Sequence, residues 1–229
     1  MNDERHARRK PQLRPADIID TAVRLTARKG LYGWTVRDIA LESGASMSSI
    51  YHHVGGKDEI MRKVVEEVLS GTRMPPGDVD WRKWFTETML SLRKQLAPYP
   101  GVAHWMMLHG PFFSDSLRGL DVAIDLLESA GFGADTGKVY GTIFNAALSS
   151  IAFSDFRRGH AVDGFPGHEG IIRGFADHAP DSPGSRVLLE TMAPFARDAD
   201  AAEAAGEEFY RFLLSSLLNG IARTLGPQD

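Results

Sequence analysis

Nearly every patterned segment of this chain repeats its apolar residues at three- and four-residue spacings, and none convincingly alternates them. A helix returns to one face every 3.6 residues and a strand every two, so the pattern predicts an all-α fold. "PADIIDTAVRLTARKG" begins with Pro15, suited to a first helical turn. It sets Ile18, Ala22 and Leu25 on one face, with Gly30 as the C-terminal cap. "TVRDIALES" opens on Thr35 with Asp38 three residues later, the spacing of a capping box. A short helix is predicted from about Ser46 to His53, where "VGG" stops it. Another runs from near Lys57 to about Leu69, with Ile60, Val64, Val65, Val68 and Leu69 inward. Further helices are predicted at about 80–97, 101–109, 115–130, 136–158, 185–197 and 203–225.

Two stretches interrupt this order. "GTRMPPGDVD" (71–80) holds two prolines and two glycines and marks a domain boundary. Residues 159–184 hold six glycines and three prolines and show no period, which predicts a long loop of functional or disordered type. The chain has 229 residues, 43% of them hydrophobic, enough for one large domain or two modest ones. It has no cysteine, which excludes disulfides, thiol nucleophiles and thiolate metal sites. Residues 1–15 lack an apolar signal-peptide core, and no run approaches the ~20 apolar residues of a membrane span. A cytoplasmic protein without membrane attachment is expected.

Charge is unevenly spread. Residues 1–63 hold 12 Lys and Arg against 8 Asp and Glu, while the remaining 166 hold 14 against 22. A basic end on an acidic body predicts that one domain meets a polyanion. Chance clustering would give the same counts.

Signals for catalysis are near misses. "GADTGKV" (133–139) is one residue short of a phosphate-binding loop, has Val139 where the metal-binding hydroxyl belongs, and follows a helix. "GFGADT" lacks the third glycine of a dinucleotide fingerprint, and Gly131 reads as a helix cap. His52 and His53 are adjacent and point about 100° apart on a helix. His104 and His109 are five apart, and His160, His168 and His178 fall in the aperiodic stretch. No enzyme, cofactor or metal is expected.

Residues 35–54 have the anatomy of a helix-turn-helix. Ala40 and Gly44 are small where two helices cross, and Ile39, Ala45 and Ile50 supply the packing. The second helix starts at Ser46 with Met47, Ser48 and Ser49, short or flexible side chains that let a backbone approach base edges in the major groove. Tyr51 and His52 follow one turn on, and Lys57 opens the next helix, where a phosphate is favoured. A generic amphipathic helix pair would share much of this shape.

"IIDTAVRLTARKGLYGWTVRDIALESGASMSSIYHHVGGKDEIMRKVV" resembles the N-terminal DNA-binding domain of TetR-family transcriptional repressors across about 50 residues. Val54 stands where that family usually has Phe, and Met47-Ser48 replaces a Lys or Gly pair. The resemblance implies that Thr35, Arg37, Tyr51, His52 and Lys57 contact phosphates or the groove, and that Ser46, Met47, Ser48 and Ser49 form the base-facing turn. It divides the chain into a basic arm (1–14), a three-helix DNA-binding domain (15–72, motif 35–54) and a larger helical ligand-binding and dimerisation domain (73–229). The arm "RHARRKPQLR" is either a further DNA contact or a solvated tail.

The second half resembles the tetracycline-repressor branch only faintly. Helix 136–158, with Val139, Ile143, Ala146, Ala147, Ser150 and Ile151, and helix 203–225, with Phe209, Leu213, Ser216, Leu217, Gly220 and Ile221, carry small residues on apolar faces. Such faces suit a four-helix dimer interface, or an internal core. "HWMMLHGPFF" (104–113) gathers Trp105, Met106, Phe112 and Phe113 with His104 and His109. With Phe144, Asn145 and Phe153 it would wall an apolar ligand pocket; the same residues would also make ordinary core. The expected protein is a homodimer on a palindromic duplex operator, its recognition helices about 34 Å apart. A small apolar or aromatic effector would weaken DNA binding about 5–150-fold through helix 57–69. The alternatives are an activator, a repressor without a ligand, or a helical enzyme or carrier fused to a helix-turn-helix.

Overall fold

The computed structural model describes residues 14–110, 114–160, 168–178 and 182–225. These hold eleven α-helices and no strand. In order they are α1 (Pro15–Lys29), α2 (Val36–Ser43), α3 (Met47–His53), α4 (Lys57–Ser70), α5 (Trp81–Leu96), α6 (Val102–His109), α7 (Ser114–Ser129), α8 (Thr136–His160), α9 (His168–His178), α10 (Pro183–Met192) and α11 (Ala199–Leu225). Short 3₁₀ turns occupy Gly133–Asp135 and Ala193–Ala196. None of the described helices is long and apolar enough to cross a membrane. The chain divides into two compact units between Glu67 and Val68, inside α4.

In the first unit α1, α2 and α3 pack on one another. Pro15 starts α1 and Gly30, at φ 75°, caps it by donating its N–H to Thr26 O at 2.8 Å. Ile18, Ala22 and Leu25 face inward as their spacing requires, joined by Leu31, Trp34, Ile39, Ile50, Ile60 and Val64. Trp34 is fully buried, and its indole N–H donates to Thr26 Oγ1 at 2.8 Å. Gly44 turns α2 toward α3 in the left-handed region at φ 68°, which a side chain would oppose.

In the second unit α8 is central and packs on α5, α6, α7 and α11. Its core is strongly aromatic: Trp81 meets Phe132 edge-on at 5.1 Å, and Trp84 meets Phe85 at 5.2 Å. The last turn of α4 and the segment after it form a strap fastened along α5 by three side chains. Gln95 Nε2 donates to Val68 O (2.8 Å), Ser91 Oγ accepts from Arg73 N (2.8 Å), and Trp84 Nε1 donates to Pro75 O (3.0 Å). Across from it α11 is tied to α5 by Tyr210, whose hydroxyl donates to Met89 O at 3.2 Å.

Two expectations need correction. The stretch 159–184 is not aperiodic loop throughout: α9 fills His168–His178 and α8 extends to His160. Gly170 and Gly174 hide a helical spacing carried by Ile171, Ile172 and Phe175, because glycine weakens helix propensity without forbidding a helix that packs on its neighbours. Nor is the predicted apolar face of α8 wholly available to a partner, although Ala146 and Ser150 on it are only half-buried. Val139, Ile143, Ala147 and Ile151 are buried within the subunit, where α8 packs on α6 and other helices. The N-terminal arm up to residue 13, residues 161–167, and Phe112 and Phe113 lie outside the described residues.

Candidate nucleic-acid interface

The surface of α2 and α3 is built from short-range hydrogen bonds. Thr35 Oγ1 accepts from Asp38 N (3.2 Å) and donates to Asp38 Oδ2 (2.7 Å), while Asp38 Oδ2 accepts from Thr35 N (2.7 Å). The Thr35 hydroxyl, with Lys29 Nζ at 2.9 Å, holds the Asp38 carboxyl well below the usual carboxylate range. Ser46 caps α3: its Oγ accepts from Ser49 N (3.1 Å) and lies 3.0 Å from Ser48 Oγ. The hydroxyls of Thr35 and Ser46 are therefore engaged in helix caps, a role their predicted DNA contacts would have to share.

The remaining residues of the predicted set are presented outward. Arg37, Met47, Ser48, Tyr51 and His52 are exposed, whereas Ser49 is half-buried against the cap. Helix α3, "MSSIYHH", carries no acid, and only Ile50 of its seven residues is buried. The nearby carboxylate of Glu42 is occupied by Arg24 (3.6 Å) and by Arg28. This leaves a face of hydroxyls, aromatic rings and imidazoles without unpaired negative charge on α3, as a phosphate-bearing partner requires.

Lys57 is held rather than free. Its Nζ sits 5.3 Å from the centroid of the Trp34 ring and donates to Tyr32 O at 3.3 Å. The cation thus rests on a ring that is itself pinned in the core. Sequence reading missed Tyr32 and Trp34. Tyr32 is 46% exposed beside Lys57, and partial burial pushes its phenol pKa up. The available signal was two aromatic residues in "KGLYGWT", a turn where one polar residue would suffice.

The residues predicted to bind a ligand are dispersed. Trp105 and Met106 are buried. His109 is exposed, stacks on Trp105 at 4.1 Å, and places Nδ1 2.9 Å from Trp105 O; a carbonyl only accepts, so Nδ1 donates. His109 thereby caps the end of its own helix. His104 is half-buried, Asn145 exposed, and Phe153 60% exposed. Phe144 stacks on Tyr140 at 5.6 Å, and Tyr140 meets Phe85 at 6.4 Å. Burial pushes the Tyr140 pKa up to about 12. Asp155 was also missed. This buried carboxylate accepts from Gly101 N at 3.1 Å and caps α6 from a different helix. Its signal was an acid four residues beyond Ile151, on the core face of α8.

Residues 18–64 match the family model of bacterial regulatory proteins, tetR family. A transcriptional regulator of Saccharopolyspora erythraea is 29% identical over 154 residues, covering 65% of this chain and 64% of its own length. The class E tetracycline repressor of Escherichia coli is 25% identical over 158 residues, covering 66% of this chain and 74% of its own length. Residues 18–64 thus match the TetR family, and the chain is similar to that family's regulators beyond them. The family's members among these relatives are named as regulators of transcription, not as enzymes. The TetR-family fold extends over both units. TetR of Acinetobacter baumannii AYE superposes with a TM-score of 0.67 at 19% identity, covering 94% of this chain and 100% of that one. Streptomyces coelicolor ActR in complex with actinorhodin gives 0.66 at 20%, covering 92% and 97%.

Proposed function

We propose that this chain is a cytoplasmic TetR-family repressor that binds a palindromic duplex operator as a homodimer and is released by a small apolar or aromatic effector. The observation that carries the DNA reading is the outward face of α3, with Ser48, Tyr51 and His52 exposed and no acid on the helix. In this reading Ser48 and Met47 address base edges. Arg37, Tyr51 and His52 address the backbone, as does Lys57 once it exchanges the Tyr32 carbonyl for a phosphate. Thr35, Ser46 and Ser49 set the helix ends.

Dimerisation is assigned to the exposed apolar residues of α8 and α11. Phe156 and Phe212 are 59% and 70% exposed, with Phe153 and Phe209 beside them in sequence. Apolar surface of that size on a regulator marks an interface. For the effector, the half-buried Tyr140–Phe144 stack and the buried Trp105 and Met106 supply aromatic and thioether walls. The relationship to a tetracycline repressor supports release by a ligand over activation or ligand-independent repression.

The test is selection of binding sites from random duplexes, followed by a screen of aromatic compounds for release. A palindromic motif should emerge, with affinity falling steeply as salt rises. Lys57→Ala should weaken binding to all sequences and reduce the salt slope by about one, while Ser48→Ala should change base preference. Failure to enrich any palindrome at moderate salt overturns the reading.

A further inference from the structure

The strap residues Arg73–Pro75, the outer edge of α5 and the first half of α11 enclose a cleft of about 690 Å³. That volume suits a small molecule. Its two sides differ in how their charges are satisfied. On the α11 side Arg93 pairs with Glu203 at 2.7 Å and lies over the Tyr210 ring at 5.9 Å, while Arg211 pairs with Glu207 at 2.6 Å. Gly206 leaves room for this: a Cβ there would sit 3.1 Å from Arg93 Nη2. On the strap side Arg73 and Lys94 are exposed, and neither has a carboxylate partner among the described residues. The third lining carboxylate, Glu87, lies 4.0 Å from Lys83, which does not line the cleft.

The lining therefore has one more cation than carboxylate, in a region where acids outnumber bases 22 to 14 over residues 64–229. Beside the two unpaired cations lie apolar groups, Met74, Leu90 and Ala97. Met74 is 42% exposed, with its sulfur laid over Gly119, where a Cβ would fall 2.6 Å from it. A singly charged anion on an apolar body matches this arrangement. A cation would meet Arg73 and Lys94, a neutral compound would leave them unused, and a phosphate dianion would overshoot the single excess charge beside three glutamates.

We propose that this cleft binds an amphiphilic monocarboxylate, its carboxylate between Arg73 and Lys94 and its hydrocarbon chain on Met74 and Leu90. The site is separate from the aromatic region around Tyr140 and Phe144. It lies wholly within the second unit and touches the strap that continues directly from α4.

Octanoate below its micelle-forming concentration is the probe, with calorimetry for affinity and methionine-methyl NMR for location. Octanoate should bind saturably, once per chain, and shift the Met74 resonance while leaving Met106 in place; octanol and octyltrimethylammonium should bind far more weakly. Arg73→Gln with Lys94→Gln should weaken octanoate about tenfold or more, the effect of losing a charge-assisted hydrogen bond. Both residues are exposed, so the melting temperature should hold. Equal octanoate affinity in the double variant overturns the proposal, as does equal binding of the cationic analogue, a shift at Met106 instead of Met74, or no binding by the wild type.

Discussion

The two units hold themselves together on different length scales. In the first, the caps of α2 and α3 join residues three apart, Thr35 with Asp38 and Ser46 with Ser49. In the second, the decisive hydrogen bonds span far more chain: Gly101 to Asp155 across 54 residues, Arg93 to Glu203 across 110, and Tyr210 to Met89 across 121. Local bonds make a rigid surface from a short piece of chain, as a unit that must present one helix in one orientation needs. Distant bonds make helix positions depend on one another, as the proposed response to a ligand would require.

The contrast breaks most sharply at Trp34. Trp34→Ala removes the largest fully buried side chain and should cost the first unit about 3–5 kcal/mol. Duplex binding should vanish while the second unit keeps its own thermal transition; loss of both transitions together would deny the units their independence. Next is Asp155→Ala, which strands the Gly101 N–H and should cost the second unit about 1–3 kcal/mol. Hydrogen exchange should show faster opening at the start of α6 with the first unit unchanged.

A smaller effect is expected at Thr35→Ala, about 1 kcal/mol for loss of an N-cap, confined to the melting of the first unit. The smallest is a pH effect. The Asp38 carboxyl is held low by the Thr35 hydroxyl and then by Lys29, so its contribution is complete above the usual carboxylate range. It should be lost as the pH falls below that range toward the depressed folded value. Denaturant titrations at decreasing pH should show Asp38→Asn, which cannot ionise, with a shallower acid decline. Parallel curves would assign the acid sensitivity to other carboxylates.

This difference in scale also governs what could be read from the amino acids alone. Pro15, Gly30, the Thr35–Asp38 pair and Gly44 announce α1 to α3 because cap and turn chemistry acts within a few residues. The outward set on α3 was legible for the same reason. The seat of Lys57 was not, because Tyr32 is 25 residues away and nothing nearby names its partner. On α8, Ala147 and its neighbours showed that something packs closely, but small residues admit α6 as readily as a second subunit. Helix α9 was hidden because Gly170 and Gly174 lower its local propensity while packing on α10 supplies what propensity lacks. Asp155 was not legible either, because the amide it caps is 54 residues away at the start of α6.

The strap along α5 bears on how such proteins are recombined. Residues 71–80, rich in proline and glycine, look like the natural seam at which to exchange one DNA-reading unit for another. Yet the carbonyls of Val68 and Pro75 and the amide of Arg73 belong to α5, through Gln95, Trp84 and Ser91. A chimaera joined at residue 75 would import a foreign strap and leave those three side chains to find new partners. One joined within α4, before Val68, would carry the strap over with the body that holds it. The working seam is thus a continuous helix, and modularity here means trading the first turns of α4 while keeping the last.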